Sequence, residues 1–222
     1  MSNRQKNFFP KTFFGLSLLT LLVFQARLPA FVNTLTQQFS SSTLKSSYLN
    51  QPLAMTGGDP YIRALMRTIT ASESNVAKPY YVLYGGKYVD DLSKHPEQCM
   101  PILTGPNIGQ CSTAAGRYQF LNTTWYEKAQ KYHPKPSGVF WWKNYSFEPE
   151  YQDRVVYAWL NDPNAWGVNI SQKLKQGKVE GVLKLLSPTW TSLGYGIETN
   201  SMSPHLSRIY QKMLTEELKR VS

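Results

Sequence analysis

Apolar residues fall into two different patterns along this chain of 222 residues. The first is a block: Phe13 to Phe24 reads FFGLSLLTLLVF without a charged residue, and Gln25 breaks it. Arg4, Lys6 and Lys11 precede it, so the segment has the basic and apolar regions of an export signal. It is shorter than the roughly 20 residues that span a hydrocarbon core. A cut after Ala30 would place Leu28 where a small residue is preferred, so an uncleaved anchor and membrane association stay open beside a cleaved signal. The stretch Thr34 to Ser47 (TLTQQFSSSTLKSS) follows neither a helical nor a strand period and reads as a tether. The expected organisation is a signal over 1–30, a flexible linker over 31–56 and a folded domain over 57–222.

Beyond Gly57 the apolar positions become periodic. Asp59-Pro60 supplies an N-cap and a first-turn proline, and Ile62, Met66 and Ile69 then recur at helical spacing beside Leu65. The same count lands on Glu73, a carboxylate on the apolar stripe at the helix end. Tyr80 to Tyr84, then Gly85-Gly86, then Lys87 to Val89 predict two short strands around a two-glycine turn. A loop holding both cysteines follows. Thr124 to Glu127 has the form of a capping box opening a helix. Pro149 starts another, with Tyr151, Val155 and Trp159 on one face. Val179 to Leu186 reads as helix ending at Ser187-Pro188, and Ser203-Pro204 caps a last one bearing Leu206, Ile209, Tyr210, Met213 and Leu214. The class is α+β, predominantly α.

Composition narrows the partners. The net charge is +10, from 24 Lys and Arg against 14 Asp and Glu, which suits a polyanionic surface. The basic residues are dispersed without a block, so no nucleic-acid partner is expected. Aromatics make up 14% of the chain, enough to build a core and also to line a cleft that stacks on sugar rings. The three histidines are scattered and no CxxC is present, so neither a metal site nor a cofactor is expected. Cys99 and Cys111 bracket a segment with Pro and Gly, and an oxidising compartment would allow them to close it as a disulfide, with two buried thiols as the alternative. No GxSxG, phosphate-binding glycine loop or Cys/His nucleophile signature is found.

Three constellations remain for chemistry. A carboxyl set among apolar neighbours, as Glu73 is, holds its proton more tightly and can donate it to a sugar oxygen that leaves poorly without one. Ser112 to Phe120 (STAAGRYQF) joins small residues that let backbone approach a ligand to Gln119, which both donates and accepts hydrogen bonds. Leu193-Gly194-Tyr195-Gly196 sets an aromatic between two glycines.

Taken in order, these segments resemble the phage lambda lysozyme family of peptidoglycan lytic transglycosylases, from about Tyr61 to Leu218. The resemblance rests on Ser72-Glu73, Gly85-Gly86, Asp91-x-Ser93-x-His95-Pro96 and Ser112-Thr113-x-Ala115-Gly116-Arg117-Tyr118-Gln119. Downstream it continues in Phe147-x-Pro149-x-x-Gln152-Asp153, Trp190-x-Ser192-Leu193 and Gly194-Tyr195-Gly196. It implies a lysozyme-like fold with a small β-hairpin lobe flanking the cleft, and Glu73 as catalytic acid. It implies substrate contacts at Ser74, Asp91, Gly116, Arg117, Tyr118, Gln119 and Tyr195. Ser74 stands where the lambda enzyme has glycine, and the two cysteines are additions. The implied substrate is the glycan of peptidoglycan, cut between N-acetylmuramate and N-acetylglucosamine to leave a 1,6-anhydro end. A monomer is expected, exported by the N-terminal segment to the periplasm, cell wall or extracellular space. A hydrolytic muramidase would need a second carboxylate, for which Asp90, Asp91 and Asp153 are the candidates. A catalytically inactive wall-binding module is the non-enzyme alternative.

Overall fold

The computed structural model describes residues 51–139, 143–196 and 201–220. The apolar run Phe13 to Phe24 and the tether Thr34 to Ser47 lie outside the described residues. Helix α1, Pro60–Glu73, is the axis of the domain. Asp59 caps it as the sequence predicts, its side chain accepting from the Tyr61 amide at 2.8 Å. The sequence marks one apolar face, yet every residue from Ile62 to Ala71 is buried. The polar face is covered because the last helix, α7 (Leu206–Lys219), lies along it. Its cations meet matched anions there: Arg63 Nε lies 2.6 Å and Arg67 Nη1 2.9 Å from the Glu217 carboxylate, while Arg67 Nη2 reaches Glu216 at 2.5 Å. Thr68 and Thr70 satisfy their buried hydroxyls on the carbonyls one turn back.

The remaining helices wrap this pair. They are α2 (Asn122–Tyr132), α3 (Pro149–Asn161), α4 (Pro163–Trp166), α5 (Ile170–Lys175) and α6 (Val179–Leu186). Helix α3 starts at Pro149, and α6 starts and ends where the sequence places it. The short helices α4 and α5 are unforeseen, since four and six residues are too few to show a period. Helix α2 corrects the capping box: it begins at Asn122, and no side chain caps its end. Its start is tied instead to Thr113, whose hydroxyl donates to Asn122 Oδ1 at 3.0 Å and accepts from the Asn122 amide at 3.2 Å. The last helix is likewise preceded by a 3₁₀ turn over Ser203–His205.

The small sheet also differs from expectation. The turn at Gly85-Gly86 forms, with both glycines at positive φ and Leu83 N donating to Lys87 O at 2.7 Å. Only Val82 and Tyr88 bridge across it, however. Leu83 and its neighbours pair instead with the segment around Ala115: Tyr84 N donates to Ala114 O and Gly116 N to Val82 O, both at 2.8 Å. The one two-stranded sheet among the described residues lies further on, β1 (Met100–Pro101) against β2 (Cys111–Ser112), antiparallel. Cys99 and Cys111 are joined by a disulfide at its base, with Cα atoms 5.3 Å apart.

The folded body starts earlier than Gly57. Leu53 and Met55 are buried, the Ala54 and Met55 amides donate to Asp153, and Arg117 donates to the carbonyls of Gln51 and Pro52. These residues carry no period of their own, so only their partners, far along the chain, reveal that they belong to the core. A second cluster joins Phe120, Trp125 and Phe147, with Trp125 and Phe147 edge to face at 4.7 Å. Buried His95 closes it. The Glu97 amide donates to its Nδ1, so Nε2 carries the hydrogen and donates to Phe120 O at 2.8 Å. Burial holds this imidazole below its ordinary pKa, consistent with a neutral structural role.

Candidate active site

Helix α1 ends at Glu73 because Ser74 leaves helical geometry, its amide still bonded to Thr70 O. The buried Ser74 hydroxyl donates to Arg117 O at 2.6 Å, tying the helix end to the Gly116–Gln119 turn. Glu73 is half-buried and lines a cleft of about 790 Å³. One wall comes from Tyr118 to Leu121 and another from the turns around Trp190. The hairpin between β1 and β2 adds Ile102 and Thr104 to Asn107, so a β lobe does flank the cleft.

Ser192 is the site residue that sequence reasoning left without a role. Its hydroxyl donates a hydrogen bond to Glu73 Oε1. It reaches that position because the chain after α6 runs through successive turns, with Trp190 N on Leu186 O and Leu193 N on Trp190 O, both at 3.0 Å. Trp190 Nε1 then anchors the segment on Tyr118 O at 3.1 Å, and Leu193 is buried beneath it. No local pattern could pair residues 119 positions apart.

The expected substrate contacts divide into those on the cleft and those behind it. Gln119 is on the wall, held at positive φ, with Nε2 donating to Gly116 O at 3.0 Å. Tyr118 contributes to the wall but is fully buried, and its hydroxyl donates to Asp153 at 2.6 Å. Arg117 faces inward: its guanidinium donates to Thr70 Oγ1, Tyr80 Oη, Pro52 O and Gln51 O. Ser74 and Gly116 are also buried. Ser74, Gly116 and Arg117 thus form the backing of the cleft. Asp91 lies in a separate surface groove with Asp90, where it accepts from the Ser93 amide at 2.8 Å. Tyr195 is exposed at positive φ between its two glycines and is not among the residues that line the cleft.

Asp153 is the centre of the backing layer. Fully buried on α3, it accepts from Tyr118, Tyr80 and the Ala54 and Met55 amides. Burial pushes its pKa above the ordinary carboxylate value, opposed by the Arg117 guanidinium and the two tyrosine hydroxyls. Gln152, beside it, accepts from Arg117 N and donates to the carbonyls of Tyr80 and Phe147. Gly116 sits against this layer at φ 73°, where an added Cβ would collide with the Gln152 amide and approach Phe147 Cζ to 2.8 Å. Gly116→Ala is therefore expected to displace the turn that carries Gln119. The measurable result is a loss of about 1–3 kcal/mol in denaturant unfolding, from overpacking added to a strained φ, together with reduced activity.

Among the described residues no group of three or more acidic, histidine or cysteine side chains could hold a metal ion.

The endolysin family's sequence profile matches residues 63–216, which contain Glu73, the Gly116–Gln119 turn and Ser192. The chain belongs to the endolysin family. Membership brings a broad activity with it, that of a lysozyme-like enzyme directed at peptidoglycan. Two solved structures of bacteriophage lambda lysozyme share the endolysin's fold. One, complexed with a chitohexasaccharide, is 22% identical, covers 72% of this chain and 97% of its own, and superposes with a TM-score of 0.53. The other is 20% identical over 73% of this chain and 97% of its own, with a TM-score of 0.51. The lambda lysozyme-like fold expected from the motifs is thereby established. No curated protein sequence matches. No helix among the described residues is long and apolar enough to cross a membrane.

Proposed function

We propose that this endolysin is a lytic transglycosylase that cuts the β-1,4 bond between N-acetylmuramate and N-acetylglucosamine. The observation that carries the reading is the place of one acid on the cleft wall. Among the described residues, Glu73 is the only carboxylate lining the cleft. Asp153 is sealed behind the wall, and Asp90 and Asp91 lie in another groove. A hydrolase of the usual two-carboxylate kind needs a second acid close enough to attack or to activate water. A substrate that supplies its own nucleophile does not.

In this mechanism protonated Glu73 donates to the bridging oxygen as the C1–O bond breaks. The resulting carboxylate takes the proton of the muramate 6-hydroxyl as that oxygen closes on C1, giving the 1,6-anhydro ring and restoring the acid. Holding the hydroxyl within the same sugar replaces a bimolecular attack by an intramolecular one. Ser192 fixes the orientation of the carboxyl. Gln119, with its Nε2 turned to Gly116 O, presents its side chain to the N-acetyl group of the sugar. Tyr195, exposed beside the Trp190 turns, takes a more distant sugar. Lambda lysozyme's complex with a chitohexasaccharide supports a glycan strand as the occupant of this fold's cleft.

Mass analysis of muropeptides released from purified sacculi tests the reading. Anhydro-muramate ends are the expected product. Reducing ends as the sole product would assign hydrolysis instead.

A further inference from the structure

The hairpin that adds Ile102 and Thr104 to Asn107 to the cleft has almost nothing of its own to hold it. Between Cys99 and Cys111 no residue is buried, and only Met100 and Ile102 are half-buried. The sheet at its base is two residues long on each side, and Pro101 brings no amide hydrogen to it. Above the sheet, Ile102 N donates to Gln110 O at 2.8 Å and Gly109 N to Ile102 O at 3.1 Å. Leu103 and Ile108 at the tip are 75% and 66% exposed, so neither contributes burial. An isolated two-stranded hairpin is marginal in water even when longer than this one. What closes it is the covalent bond between Cys99 and Cys111. Both cysteines are exposed, within reach of a thiol in solution.

We propose that the Cys99–Cys111 disulfide is a redox latch on glycan binding, holding the 102–107 hairpin as a jaw of the cleft. This rests on the cleft being the glycan site. A dithiol such as dithiothreitol supplies the reduction in two exchange steps. One thiolate attacks a cysteine sulfur, forming a mixed disulfide and releasing the other cysteine as a thiol. The second thiolate of the reductant then displaces the first cysteine and leaves as a cyclic disulfide. Two electrons and two protons are thereby delivered to Cys99 and Cys111. The opened hairpin samples many conformations while α1, Glu73 and Ser192 keep theirs, since α1 is held by its ion pairs to α7 and the Ser192 turn by Trp190 on Tyr118 O. A jaw in its gripping form about one-tenth of the time weakens apparent affinity about tenfold. The chemical step, once substrate is seated, is unchanged. An oxidising compartment keeps the latch closed, and a thiol-rich one opens it.

The test compares oxidised protein, protein reduced with dithiothreitol and verified by thiol counting, and the Cys99→Ser/Cys111→Ser variant. Turnover of solubilised glycan strands and hydrogen exchange are measured on each. The latch predicts a KM about tenfold higher in both disulfide-free forms, with kcat within about twofold. It also predicts loss of exchange protection at the Ile102 and Gly109 amides, with α1 still protected. Equal KM in all three forms, or a fall in kcat alone, would overturn it. Oxidised Glu73→Gln is carried as a control. If that variant turns over like wild type, the reading of the site fails, whereas the exchange data still report on the hairpin.

Discussion

Replacing Glu73 by Gln is expected to lower glycan cleavage by about 100- to 10,000-fold, the range for removal of a general acid and base, while the protein remains folded. Glutamine keeps the length of the side chain and an oxygen to accept from Ser192, so the helix end loses no packing. What it loses is a proton to give. Glu73→Asp separates chemistry from reach. The shorter acid can still donate, but it draws back from both Ser192 and the cleft, and a misplacement of about 1 Å costs on the order of 100-fold. Release of soluble muropeptide per unit time measures both variants, with far-UV dichroism and melting temperature as controls. A fully active Glu73→Gln protein would remove the proposed chemistry.

The largest effect on stability is expected at Glu217, on the opposite side of α1 from any role in catalysis. Glu217→Ala leaves Arg63 and Arg67 in the interior without their shared carboxylate, and Arg67 keeps only the half-exposed Glu216. Removing one partner of a buried pair costs about 3–5 kcal/mol, because the surviving charge stays desolvated. For a domain of this size that corresponds to a fall in melting temperature of roughly 10 °C. Replacing Arg63, Arg67 and Glu217 together by Met, Met and Leu is expected to recover most of the loss, since apolar side chains carry no desolvation debt. Chemical denaturation of the single and triple variants decides it. Should the single variant lose less than about 1 kcal/mol, the value of an ordinary exposed ion pair, the pairing does not control the docking of α1 and α7.

Local chemistry was legible in the sequence wherever one element carried its own signal. Asp59-Pro60 marks the start of α1, and the 3.6-residue period ends on Glu73 at the wall of the cleft. Pro149 and the Val179–Leu186 stripe mark α3 and α6 just as plainly. The ordered motifs point to the lambda lysozyme-like fold that the comparison bears out.

Tertiary structure decided the rest, because the deciding partner lay elsewhere in the chain. Leu83 pairs with Ala115 rather than extending a local hairpin, since the 114–116 segment supplies hydrogen bonds that a two-glycine turn cannot announce. Arg117 reads as a cationic substrate contact, but its guanidinium is used up by carbonyls and hydroxyls of residues 51, 52, 70 and 80. Leu53 and Met55 look like the end of a tether until Asp153 takes the backbone amides of residues 54 and 55. Ser192 meets Glu73 only because Trp190 hangs its turn on Tyr118. Periodicity reports which face of an element is apolar; it carries no information about which distant polar group will meet an element's unsatisfied hydrogen bonds.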